Sequence, residues 1–67
     1  MNRRLRSMEL LKLLQPFTQA GILSPADAKG IVDDFVKGEG KKLKSFIYSP
    51  DIPVAYNNVA AKLLQFI

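Results

Sequence analysis

The chain has 67 residues, 48% of them apolar, and a formal net charge of +4. That length gives one domain, close to the lower limit for a self-supporting core, with a net stability of roughly 3–5 kcal/mol; the apolar content excludes a disordered chain. The lack of cysteine excludes a disulfide framework and a thiolate metal site, and the lack of histidine removes the commonest general base and metal ligand.

Residues Arg3 to Leu14 read as a helix, with Leu10, Leu13, Leu14 and Phe17 at helical spacing and Leu5, Met8 and Leu11 widening the stripe. Pro16 lacks an N–H and its ring clashes with the preceding turn, at a cost of about 3 kcal/mol inside a helix. The helix is therefore expected to kink or break near Pro16, ending near Leu14 or restarting as a short segment with the proline in its first turn.

Gly21-Ile22-Leu23-Ser24-Pro25-Ala26-Asp27 organises the chain. Gly21 can end a helix in the left-handed conformation, Ser24 can cap the next one, Pro25 suits its first position, and Asp27 completes a capping box. The second helix runs from Pro25 to Lys37. Ala28, Ile31, Val32, Phe35 and Val36 form one face, while Lys29, Asp33, Asp34 and Lys37 point away. Gly30 interrupts it at a cost near ~1 kcal/mol against alanine. Gly38-Glu39-Gly40 stops it.

A third short helix fits Lys41 to Tyr48, with Leu43, Phe46 and Ile47 inward, and Ser49-Pro50-Asp51-Ile52-Pro53 ends it because residues before proline avoid the helical region. A fourth runs from Pro53 to the C-terminus, with Tyr56, Val59, Ala60, Leu63, Leu64 and Ile67 as its apolar stripe. The expected fold is all-α: a compact four-helix domain over residues 1–67, made of two helical hairpins, with the first helix kinked or broken near Pro16. Expected core residues are Ile22, Ile31, Phe35, Phe46, Ile47, Val59 and Leu63.

No apolar run approaches the ~20 residues of a membrane span, and Glu9 and Lys12 interrupt any signal-peptide core. A cytoplasmic setting is expected. The opening Met1 and the closing Phe66-Ile67 without a linker suggest a free-standing chain.

Chemistry is sparse. Asp33 and Asp34 are adjacent and so project about 100° apart on a helix, which prevents a facing carboxylate pair. Ser7, Ser24, Ser45 and Ser49 have no histidine to activate them. Gly38 and Gly40 belong to no phosphate loop. No enzyme, cofactor or metal is expected.

Charge is unevenly spread. Arg3, Arg4, Arg6 and Lys12 outweigh Glu9 in the first helix, acids prevail from Ala26 to Gly40, and Lys41, Lys42 and Lys44 follow. The two basic clusters offer one alternative, a nucleic-acid-binding regulator using Arg3, Arg4 and Arg6 with Lys41, Lys42 and Lys44. The acidic second helix and the Gly-Glu-Gly connection oppose a helix-turn-helix. The first helix offers another reading, because it has more apolar residues than one face needs.

The halves echo each other. Lys12-Leu13, Phe17, Gly21 and Ile22 align with Lys42-Leu43, Ile47, Asp51 and Ile52; then Pro25, Ile31, Val32, Phe35 and Val36 align with Pro53, Val59, Ala60, Leu63 and Leu64. With Gly21-Ile22-Leu23-Ser24 at the corner, Lys42-Leu43-Lys44 and Ile47 opening a second copy, and Ala60-Ala61-Lys62-Leu63 with Gln65 closing it, the pattern resembles the N-terminal domain of type II secretion and type IV pilus assembly ATPases, often called MshEN-like. The resemblance covers about residues 12–65 and implies two tandem helical motifs. Some members bind cyclic-di-GMP through this motif, which makes a cyclic-dinucleotide-binding domain a further alternative. Both family arginines are lysine here (Lys12 and Lys42), the following glycines are Leu14 and Lys44, and Asp51 replaces the second corner glycine. Lysine lacks the planar fork that stacks on bases and grips phosphates.

The leading expectation is a small non-enzymatic interaction or regulatory module. It docks a partner protein, or a second copy as a homodimer, through Leu10, Leu11, Leu14 and Phe17, with Arg3, Arg4 and Arg6 steering.

Overall fold

The computed structural model describes the backbone of residues 3–67 and the side chains of residues 5–67. Helices α1 (Arg3–Gln19), α2 (Pro25–Val36), α3 (Lys41–Ile47) and α4 (Asn57–Leu63) follow in order. A 3₁₀ turn at Val54–Tyr56 leads into α4 and another at Leu64–Phe66 follows it. Among the described residues there are no strands, and no helix is long and apolar enough to cross a membrane. The all-α, four-helix expectation is met.

Of the two outcomes expected at Pro16, the break near Leu14 is corrected, because α1 continues through Pro16 to Gln19. Proline removes one donor, which would have served the carbonyl of exposed Lys12, and past the end of the helix Ala20 N–H donates to Pro16 O at 3.1 Å. Just beyond the proline, Phe17 is fully buried. Its burial is a tertiary gain that a local propensity argument does not contain.

The corner after α1 follows its sequence. Gly21 has φ +75°. Ile22 N–H donates to Phe17 O at 2.9 Å and Gly21 N–H to Thr18 O at 3.2 Å, the paired bonds of a Schellman closure. Ser24 caps α2, its Oγ accepting from Asp27 N–H at 3.1 Å. The end of α2 repeats the device, with Gly38 at φ +93°, Glu39 N–H on Asp34 O and Gly38 N–H on Phe35 O.

Leu10, Leu14 and Phe17 of α1 meet Ala28, Ile31 and Phe35 of α2, Leu43 of α3, Ala60 and Leu63 of α4, and Leu23 and Phe66 in one buried core. Ile22, Phe46, Ile47 and Val59 are half-buried and pack against it. The Phe17 ring meets Phe46 edge-on at 5.0 Å and lies 5.4 Å from Tyr56, which ties the first half to the second. Phe35 and Phe66 form a second edge-to-face pair at 5.7 Å.

The expected stripe of the last helix needs correction. Leu64 and Ile67 are exposed, while Phe66 is buried. The chain tightens to 3₁₀ at Leu64, where residues three apart eclipse one another. Phe66 therefore follows Leu63 inward, and Ile67 follows Leu64 outward.

Candidate functional site

Helix α1 carries apolar side chains on two sides. Leu10, Leu14 and Phe17 have no exposed surface, so three of the four apolar residues expected to dock a partner are core instead. This is a correction with a simple cause, since these are the α1 positions that face α2, α3 and α4. Leu11, the fourth, is 44% exposed. Leu5 at 64% and Met8 at 61% accompany it. At i, i+3 and i+6 the three form an oblique stripe on the side turned from the core. Sequence reasoning placed Leu11 among the docking residues but took Leu5 and Met8 only as a widening of the inward stripe. A spacing of three continued over two steps was the available sign, but it was masked by a helix that is apolar almost all round.

The basic residues divide as well. The side chains of Arg3 and Arg4 lie outside the described residues. The Arg6 guanidinium stacks over the Phe66 ring, its Cζ 4.4 Å from the centroid. One Nη lies 3.8 Å from a Glu9 carboxylate oxygen, and the other donates a long 3.5 Å bond to Gln65 O. Arg6 therefore clasps the C-terminal turn to α1, a contact that sequence reasoning did not include. A cation over an aromatic face is worth about 0.5–1 kcal/mol at such partly exposed sites.

Lys41, Lys42 and Lys44 are all exposed on α3 but do not share a face. Lys42 borders a groove between α2 and α3, Lys44 borders a second concavity near Phe35 and Phe66, and Lys41 borders both. Successive helical residues diverge by about 100°, so Lys42 and Lys44 point to nearly opposite sides.

The groove between α2 and α3 encloses about 400 Å³. Leu23, Ile31 and Phe46 give it an apolar floor, Asp27 stands on its α2 side, and Lys41, Lys42 and Ser45 stand on α3. Its geometry is held by a bond across the two helices, Lys42 N–H donating to Asp34 Oδ2 at 3.0 Å. Gly40, at φ +68°, precedes α3 and has no side chain to cap it, so Asp34 supplies the missing acceptor from α2. That hydrogen bond, with Lys41 N–H and the Lys42 charge assisting and desolvation opposing, holds the Asp34 carboxyl below its ordinary value of 3.8. Asp34 was expected to point away into solvent. Its capping role was hidden because the capped helix begins seven residues later in the chain.

Among the described residues no group of three or more acidic side chains is placed to hold a metal ion. No family model, no curated protein and no solved structure matches the chain.

Proposed function

We propose that this chain is a small non-enzymatic interaction module whose contact surface is the outer face of α1, centred on Leu5, Met8 and Leu11. One observation carries the reading: three large apolar side chains at consecutive turns stay exposed on the longest helix while the core is complete without them. Apolar surface repeated along one face of a rigid helix is the usual basis of helix-mediated docking. The chain's own residues support the non-enzymatic part, since it has neither histidine nor cysteine. Docking of another protein or of a second copy both belong to this proposal.

Relationship to the secretion and pilus ATPase domains is a further part of the proposal. It is supported by the twofold helix–corner–helix build, with Ser24 capping after the first corner and Pro53 leading the second.

The test uses the full chain with a photo-crosslinking residue in place of Gln15, beside the stripe. A discrete adduct, lost in Leu5→Ser/Met8→Ser and in Leu11→Asp, is the expected result. The three changes sit at exposed positions and should alter stability by only about 0.5 kcal/mol. An adduct that persists in both variants, or none in the parent, rejects the α1 face. A strongly salt-dependent gel shift, abolished by neutralising Lys41, Lys42 and Lys44, would instead support the nucleic-acid alternative.

A further inference from the structure

Gly30 lies inside α2, where glycine lowers helix stability, yet the fold does not demand it. Its φ is not in the left-handed range that Gly21, Gly38 and Gly40 adopt. A Cβ built there would meet only the Lys42 Nζ, at 3.5 Å, an ordinary contact with the far end of a flexible chain. Alanine would therefore fit. What glycine provides is depth, because it lines the α2–α3 groove beside Ile31 and leaves space that a side chain would take.

We propose that this groove binds a small organic acid, one anionic head joined to an uncharged apolar body. Three features specify that class. The volume of about 400 Å³ falls in the range of small-molecule sites, and an apolar floor with a few convergent polar groups is their usual composition. The head group is set by Lys41 and Lys42, with the Ser45 hydroxyl as a further donor. Among the described residues the only ion pair within 4.0 Å joins Arg6 to Glu9, so no carboxylate lies within that distance of either ammonium, and Asp34 feels the Lys42 charge from farther off. The third feature is Asp27 on the α2 side, whose negative charge opposes every anion but most of all a diphosphate or a dicarboxylate, so a monoanion loses least. The hydrogen bond from Lys42 N–H to Asp34 fixes α3 against α2, so the two walls are preformed.

The experiment titrates octanoate into the isotopically labelled full chain and follows backbone amide shifts. Saturable changes confined to Leu23, Gly30, Ile31, Ser45 and Phe46 are expected, with octylammonium giving none and inorganic phosphate far weaker ones. Lys41→Gln/Lys42→Gln should weaken octanoate about tenfold, the equivalent of one charge-assisted hydrogen bond. Gly30→Ala should raise the melting temperature, and Gly30→Val should remove binding. If Gly30→Val fails to fold, the lysine pair carries the test, since both are exposed. Equal binding of octylammonium, shifts spread over the whole protein, or no saturation at millimolar octanoate overturns the proposal.

Discussion

Between α1 and α2 the chain turns using only residues near the turn: Gly21 in the left-handed region, the paired bonds back to Phe17 and Thr18, and the Ser24 cap. Between α3 and α4 it turns without any glycine, and no non-glycine residue among those described has positive φ. There Ser49 Oγ accepts from Asp51 N–H at 3.2 Å, and Pro53 sets the entry to a 3₁₀ turn. The second half instead takes its support from the first. Asp34 caps α3, Phe17 meets Phe46 and Tyr56, and Arg6 covers Phe66. One hairpin is locally encoded, and the other is held in place by its neighbour.

The hardest test of that asymmetry is Phe17→Ala. Removing a fully buried phenylalanine costs about 3–5 kcal/mol, comparable to the whole stability expected for a domain of this size. Both halves should unfold together, seen as loss of the helical circular-dichroism signal at room temperature. A folded variant with a sharp melt would show that the halves do not depend on this ring.

Phe66→Ala separates the halves more gently. The side chain sits at the rim of the core, so the loss should fall near the lower end, about 3 kcal/mol. Hydrogen exchange should speed most in α4 and the Leu64–Phe66 turn, before the α1–α2 corner is affected. Uniform acceleration would contradict a first corner that is encoded locally and a second half that leans on it.

Changes at the first corner should be smaller and local. Gly21→Ala forces a Cβ into the left-handed region at about 1–2 kcal/mol, and Ser24→Ala removes a cap worth ~1 kcal/mol. Denaturant midpoints should fall accordingly. A Gly21→Ala variant as stable as the parent would remove glycine from the account of the corner.

The smallest effect concerns Asp34 and has a defined sign. Its carboxyl in the folded protein titrates below the ordinary 3.8 because the ionised form accepts the Lys42 N–H. Its stabilising contribution is therefore fully present above 3.8 and is lost as pH falls through the lowered folded value. Asp34→Asn should flatten that part of the acid limb in thermal melts while leaving the neutral-pH fold intact. An unchanged acid limb would mean the cap is not ionic.

Much of the fold was legible because the controlling interactions are short in sequence. Gly21 with Ser24, and the α2 face of Ala28, Ile31 and Phe35, needed only turn chemistry and helical periodicity. Two further features lay outside that reading. Pro16 is carried inside α1 because Phe17 gains full burial beyond it, and Phe66 turns inward because α4 tightens to 3₁₀. The candidate surfaces were less legible still. In a helix as apolar as α1, periodicity cannot say which leucines face inward, so Leu10, Leu14 and Phe17 were grouped with Leu11.

By itself, then, the sequence determined the number of helices, the first corner and the end of α2, since each rests on backbone preferences of residues a few positions apart. Only the tertiary structure decided which side of α1 is free, that Arg6 clasps Phe66, and that Asp34 caps α3 beside a groove floored by Leu23, Ile31 and Phe46. Those outcomes are set by packing between distant segments, where burial and paired hydrogen-bonding groups outweigh local propensity.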